Sequence, residues 1–218
     1  PEIADKFSPQ LSTDISKLKE PLTRKKLSLK LDGIRALTLD FRTVTRSFKS
    51  VPNKWIHDIL KETQGLDGEI IVGEPNAEDV YRVTDSAVMS HEGEPEFQFF
   101  IFDDLTRLDL CFEDRLKVLQ DRQLPEWVVV LPQHPAEDRT ELEAFYERAL
   151  EEGFEGLIAR NAKSMYKFGR CTAKSQDSLK YKPFSDDEAI VLQVIEAEQN
   201  NNVAFKDELG RTARSSHQ

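Results

Sequence analysis

The sequence predicts an α+β fold, antiparallel sheets flanked by helices, and three observations carry that expectation. Short period-2 segments bounded by turn residues recur along the chain, the pattern of half-buried strands in antiparallel sheets. Helical patterns fall between them without the regular strand–helix alternation of a doubly wound sheet. Hydrophobic residues make up 39% of the 218, enough for a real core, while 9 glycines and 10 prolines are too few for a low-complexity or collagen-like chain.

Taken in order, residues 13–18 read as a short turn of helix with little periodicity. Leu27, Leu29 and Leu31 alternate with Ser28, Lys30 and Asp32, a half-buried strand. Asp32-Gly33 is a turn pair, and Leu37, Leu39 and Phe41 continue the alternation, so the two strands read as a hairpin. Asn53 caps a short helix carrying Trp55, Ile56, Ile59 and Leu60, and Gly65 ends it. Asp67-Gly68 leads into a strand over 69–72. Residues 97–102 form an aromatic-rich strand, 113–119 a helix and 127–131 a buried strand. Over 140–152, Leu142, Phe145, Tyr146, Ala149 and Leu150 share one helical face, with Gly153 as the C-cap. Strands follow at 156–159 and 178–183.

After Phe184 the character changes. Ser185-Asp186-Asp187-Glu188 is a polar break, 189–195 a strand, and the remainder is polar and poor in core residues. Thirty-odd residues cannot bury a core by themselves. Residues 1–186 are therefore expected to form one domain and 187–218 the beginning of a second whose remainder is absent.

No apolar stretch approaches bilayer length, and no basic-then-apolar leader is visible, so neither a membrane protein nor a secreted one is expected. Two cysteines, Cys111 and Cys171, are too few for a disulfide framework or a cysteine-rich zinc site, which points to a reducing, intracellular compartment. The net charge of −10 argues at first against a nucleic-acid partner, but the charge is unevenly spread. Residues 1–60 carry 12 basic and 7 acidic groups, 61–160 carry 9 and 25, and 161–218 carry 9 and 8. Lys163, Lys167, Arg170 and Lys174 form a run with no acid between Asn161 and Gln176. The two ends can face phosphates while the middle repels them; the plainer reading is that such runs are solvated faces.

Lys30-Leu31-Asp32-Gly33-Ile34-Arg35 is the sharpest feature. Period 2 puts Lys30 and Asp32 on one side of the strand, opposite Leu27, Leu29 and Leu31. If that side faces a cleft, Lys30 suits a nucleophilic amine, whose proton must leave near neutral pH with help from desolvation and neighbouring cations. The alternative is a solvated lysine on an exposed hairpin. Further elements follow in order: Thr45-Arg46-Ser47-Phe48-Lys49, Asp67-Gly68-Glu69, Phe99-Phe100-Ile101-Phe102-Asp103, Glu155-Gly156 before an apolar strand, and Lys180-Tyr181-Lys182.

Together these resemble the adenylation domain of ATP-dependent DNA ligases, within the covalent nucleotidyltransferase superfamily that includes RNA ligases and mRNA-capping enzymes. The segments from Arg46 to Lys49, from Ser86 to Met89 and from Tyr166 to Arg170 look like the small viral DNA ligases. The resemblance spans roughly residues 25–218; one Lys-x-Asp-Gly is weak, whereas six elements in order are specific.

The resemblance implies that Lys30 attacks the α-phosphate of ATP to give a lysyl-AMP phosphoramidate, in a phosphoryl transfer that needs alignment and charge neutralisation. Lys180 and Lys182, on one strand face, would supply cations to that phosphate; otherwise they are a solvated face with Tyr181 toward the core. Glu69 would bind the ribose and support catalysis, or else cap a turn. Phe102 matches the aromatic that stacks on adenine, with Phe100 as the alternative stacker. Glu155 matches a metal-holding carboxylate, Glu69 being the second metal candidate, for Mg²⁺ or Mn²⁺ among oxygen ligands; the plainer reading is a surface turn. Arg35, Arg46 and Arg170 match arginines on the nucleotide or the nick's 5′-phosphate, a task suited to guanidinium, though each alone is more often a surface ion-pair partner. Asp32 sets the turn and is a catalytic candidate; Ser28 lies where the family approaches adenine.

The function implied is sealing of 5′-phosphate/3′-hydroxyl nicks in double-stranded DNA through lysyl-AMP and adenylated DNA. The expected enzyme is a monomer in the cytoplasm or nucleus of a host, with residues 187–218 opening an OB-fold barrel. An RNA ligase or a capping guanylyltransferase would use the same lysine; a non-catalytic nick-binding module would not need Lys30, Glu69, Glu155, Lys180 and Lys182 together. His57, His91, His134 and His217 show no metal-ligand spacing, Cys111 sits by acids rather than cations, no Gly-x-x-x-x-Gly-Lys loop is present, and Glu92, Glu94 and Glu96 read as a solvated loop.

Overall fold

Residues 7–19, 21–183, 204–206 and 212–214 are described in a computed structural model of the chain. Their elements run β1 (Thr13–Asp14), β2 (Lys25–Leu29), β3 (Ile34–Leu39), β4 (Arg42–Thr45), α1 (Lys54–Leu60), β5 (Leu66–Ile71), α2 (Val80–Met89), β6 (Gln98–Asp104), α3 (Phe112–Gln120), β7 (Val128–Val130), β8 (His134–Ala136), α4 (Arg139–Glu151), β9 (Leu157–Arg160) and β10 (Ser178–Tyr181). In the C-terminal unit, Phe184–Gln218, β11 (Ala204–Lys206) pairs antiparallel with β12 (Thr212–Arg214). The strand expected at 189–195 lies outside the described residues.

Local signals set the helices. The Asn53 side chain accepts the Ile56 N–H at 2.9 Å and starts α1; Asp138 does the same for α4 through the Glu141 N–H at 3.0 Å. Gly153 ends α4 with φ +88°. Helix α2 is absent from the sequence expectation, although Val80, Thr84 and Val88, four apart, are its buried face. Residues 13–18, expected as a helical turn, split into β1 and a single 3-10 turn, Ile15–Lys17.

Ten strands of the unit Pro1–Pro183 form two sheets, ordered β4-β3-β5-β6-β7 and β1-β10-β9-β2-β8. Each is antiparallel except at one edge pair, β6–β7 in the first and β1–β10 in the second. Helices α1, α2 and α3 cover the first sheet over a core that includes Ile56, Leu60, Val88, Phe99, Ile101 and Leu119. Helix α4 covers the second, with Leu142 packed on Leu27, Leu157 and Leu179.

The hairpin expected around Asp32-Gly33 does not form. Strands β2 and β3 belong to different sheets: β2 pairs with β8 and β9, and β3 with β4 and β5. Residues 30–33 are the crossing between sheets. Gly33 serves close approach instead of a hairpin turn, since a Cβ there would lie 2.2 Å from the Ile70 carbonyl oxygen. The true hairpin is β3–β4, turning on Asp40 and Phe41, both at positive φ as a two-residue turn between twisted strands requires. Phe41 is thus a turn residue, not a strand residue. Asp67-Gly68 also lies within β5 and not before it; Gly68 lets the Phe100 carbonyl come within 2.6 Å of where its Cβ would be.

Candidate active site

A cavity of about 140 Å³ lies between the two sheets. Ser28, Leu29 and Ile158 line it from the second sheet, and Arg35, Glu69 and Phe102 from the first; Lys30 and Leu31, in the crossing, complete that wall. Ser28 stands opposite Ile158, and Ile158 opposite Lys180, so the three side chains share one face of the second sheet. Arg35, Glu69 and Phe100 are likewise register partners across the first sheet. Phe100 and Phe102 both pack against Leu31, Ile71 and Leu131, but Phe102 lines the cavity and Phe100 does not, so Phe102 is the ring a base in that cavity could reach.

The Lys30 backbone N–H donates to the Gly156 carbonyl at 2.9 Å, extending the β2–β9 ladder by one step. Gly156 (φ +142°) is obligatory, because a Cβ there would sit 2.0 Å from the Tyr181 carbonyl oxygen. The Lys30 Nζ then donates to Glu155 Oε2, and Glu155 Oε1 pairs with the Lys182 Nζ at 3.1 Å. The partner of Lys30 is therefore a carboxylate with a second lysine on its far side, where the sequence led to cations alone. Burial would raise the Glu155 carboxyl, but the hydrogen bond and charge of Lys30, then those of Lys182, hold it below the ordinary range. Asp32 is exposed and shares a side cavity of about 200 Å³ with Lys30 and Glu155. Partial burial and the Glu155 charge raise its pKa, against Lys30 and Lys182.

Arg35 and Glu69 line a second hollow as well, a groove of about 590 Å³ shared with Arg46, Lys49, Tyr81 and Met89. These two side chains are the partition between cavity and groove. Burial pushes the Glu69 carboxyl up to about 7, opposed by the charges of Arg35 and Lys30. Arg170 is exposed and donates to the Ser12 carbonyl at 3.2 Å; Ser12 itself lines the cavity. Lys180 shares the cavity-facing side of its sheet but does not line the cavity.

Gln10, Ser12, Leu29, Leu31, Leu131, Ile158 and Arg160 also line the cavity and were not among the site residues read from the sequence. Arg160 Nη1 donates to Asp103 Oδ2 at 3.0 Å, and its guanidinium lies 4.8 Å from the Phe102 ring centroid and 5.0 Å from that of Phe112. Asp103 also takes both arms of Arg115, at 2.7 and 3.1 Å. The available signal was an arginine ending an apolar strand beside two carboxylates ending another; only the fold puts them together.

Glu69 and Glu155 offer hard oxygen donors of the kind Mg²⁺ takes. Among the described residues, the one trio of clustered potential ligands is Cys111, Glu113 and Asp114, so Glu69 and Glu155 could fill only part of a coordination shell, the rest coming from phosphate oxygens and water. No helix among the described residues is long and apolar enough to cross a membrane.

Two mostly antiparallel sheets closing on a lysine-bearing cleft define the adenylation-domain fold of DNA ligases. The family model "ATP dependent DNA ligase domain" matches residues 1–182, and the chain belongs to that family. Two crystal structures of the Chlorella virus DNA ligase-adenylate are similar to it: one at 28% identity over 81% of this chain and 67% of that one (TM-score 0.67), the other at 26% over 95% and 78% (TM-score 0.66). A Lig E DNA ligase at 23% identity, covering 97% of this chain and 84% of its own, shares the fold with a TM-score of 0.70. No curated protein sequence matches the chain.

Proposed function

We propose that this chain performs nucleotidyl transfer in an ATP-dependent DNA ligase, with Lys30 as the nucleophile. The observation that carries the reading is the Lys30 amine itself, held by Glu155 at the edge of a cavity with an aromatic wall, Phe102, and two cation-bearing sides. Adenine would stack on Phe102 opposite Ile158, with Ser28 beside it and the ribose toward Glu69. The Lys30 nitrogen would bond to the α-phosphorus of ATP as the bond to the pyrophosphate oxygen breaks. Its ammonium proton must leave first, a loss that the neighbouring cation Lys182 would favour, while the ionised Glu155 carboxylate orients the amine. Lys180 and Lys182 would neutralise the phosphate, while Arg35 would fix the nucleotide. Mg²⁺, held by Glu155 and Glu69 together with phosphate oxygens, would supply further charge neutralisation.

In the second step an oxygen of the DNA 5′-phosphate would take AMP from Lys30, restoring the amine; in the third the 3′-hydroxyl would displace AMP and lose its proton. Nicked duplex DNA is the partner this implies, met by Arg46 in the groove and Arg170 at the rim, with Asp32 beside the reacting lysine. A monomeric intracellular enzyme whose residues 187–218 open an OB-fold barrel completes the proposal.

The test is denaturing-gel labelling with α-³²P-ATP or α-³²P-GTP and Mg²⁺, using the chain and Lys30→Ala. ATP-specific label that Lys30→Ala abolishes, and that a 5′-phosphorylated DNA nick discharges with sealing, is the expected result. GTP-specific label would transfer the chain to the capping enzymes. Absence of label, from the chain and from the chain extended by a complete OB-fold domain, with intact mass showing no pre-formed adenylate, would sink the enzyme reading.

A further inference from the structure

Arg35 has five N–H donors, and three are committed inside the protein. Nε and Nη2 donate to the two carboxylate oxygens of Asp67 at 2.9 and 2.7 Å, and Nη1 donates to the Gln10 carbonyl at 2.7 Å. One hydrogen on each terminal nitrogen remains for the cavity or the groove, both of which Arg35 lines. Which way those two hydrogens point depends on what holds Asp67 and Gln10. Both are held by Tyr166, from the loop after β9: its hydroxyl donates to Asp67 Oδ2 at 3.1 Å and accepts the Gln10 N–H at 3.0 Å. Tyr166, Asp67, Arg35 and Gln10 therefore close a ring of hydrogen bonds in which every heavy-atom link is 3.1 Å or shorter. Asp67 is fully buried, so it has no water to replace a lost donor. Burial, with the Asp67 charge next, raises the Tyr166 pKa, which keeps the hydroxyl protonated and donating.

We propose that Tyr166 is a positioning residue for nucleotide binding: through Asp67 and the Gln10 backbone, its hydroxyl aims the free N–H pair of Arg35 into the cavity and clamps residues 10–12 as the cavity's wall. This rests on the reading of that cavity as the ATP site. The aromatic ring has a separate, structural task, packing parallel to Phe7 at 6.0 Å (16° between planes) with the Arg115 guanidinium 5.5 Å away. Ring and hydroxyl can therefore be tested apart.

The probe is the unreactive analogue α,β-methylene-ATP, titrated calorimetrically into the chain and its variants. Tyr166→Phe keeps the ring and removes the hydroxyl; the loss of its hydrogen bonds to the buried Asp67 charge and from the Gln10 N–H is expected to weaken binding about tenfold. In an Arg35→Lys background the same change should cost less than about twofold, since the fork it aims is gone. Phe7→Ala strips packing from the same ring with its hydroxyl bonds intact, and should leave affinity within about twofold while lowering the urea midpoint. Equal affinity of Tyr166→Phe and the unaltered chain would overturn the proposal. So would a loss that adds in full to Arg35→Lys, or one that Phe7→Ala reproduces, because each marks general loosening of the cavity. No binding of the analogue by the unaltered chain would overturn the ATP-site reading itself, and this proposal with it.

Discussion

Lys25 offers a stability test in which the magnitude comes directly from its surroundings. It lies on β2, five residues before Lys30, with no exposed surface, and its Nζ donates to Thr23 Oγ1. Thr23 in turn donates through its backbone N–H and its hydroxyl to Gln176 Oε1, at 3.2 and 3.3 Å. Burial lowers the Lys25 pKa from 10.5 to about 8, opposed by the charge of Asp177. A lysine with a depressed folded-state pKa binds fewer protons folded than unfolded, so its cost is largest below pH 8 and is relieved as pH rises from 8 toward 10.5. At roughly one and a half kcal/mol per pH unit that cost is about 3 kcal/mol at pH 7 and about 1 kcal/mol at pH 10. Lys25→Met keeps the stem and removes the charge. Against the lost bond to Thr23, worth about 1 kcal/mol, the variant should be more stable by about 2 kcal/mol at pH 7, an advantage that is largely lost at pH 10. Urea unfolding of both proteins at the two pH values measures this. A stability difference that is flat across the range, or that grows with pH, would refute the reasoning. Lys25 also separates a lowered pKa from nucleophilicity: it has the first but does not line the cavity of Lys30, so adenylate is expected on Lys30 alone.

Two further outcomes are expected. Phe102→Ala should weaken ATP binding about tenfold in equilibrium dialysis, for loss of a stacking face, whereas Phe100→Ala, removing a half-buried ring packed on the same cluster, should leave it intact; the reverse order would put the base on Phe100. Gly156→Ala drives a Cβ to 2.0 Å from a backbone oxygen that cannot rotate away, so a loss of about 3 kcal/mol or more in urea is expected, with Lys30 labelling falling in parallel; an unchanged midpoint would mean that the two strands can part there.

Helices α1 and α4 were legible in the sequence because their signals are local: a capping side chain and apolar residues three and four apart, with Gly153 ending α4; α1 instead stops at Leu60 on the cap residue Lys61, so Gly65, expected to end it, lies in the turn before β5. Helix α2 was missed although its buried residues are four apart, because exposed Tyr81 and Met89 blur its apolar face. The hairpin error has a definite origin in Asp32-Gly33, which carries turn chemistry at a point where the chain instead leaves one sheet for the other. The true hairpin turns on Asp40 and Phe41, a pair whose second residue gives no hint of positive φ.

The site divides along the same line. Side-chain chemistry and local periodicity singled out Lys30, and the resemblance carried by the ordered motifs pointed to Glu69, Phe102, Glu155 and Lys182, since both depend on residue type and short spacing. Only the tertiary structure decided that Glu155, 125 residues from Lys30, is the group that holds its amine, that Lys182 sits on the other oxygen, and that Arg160 and Tyr166 belong to the same neighbourhood. Backbone hydrogen bonds are chemically alike in every possible strand pairing, so local sequence does not choose among partners. That choice falls to the joint burial of both sheets' apolar faces, which brings β2 beside β9 and β3 beside β5, and leaves the cleft between them.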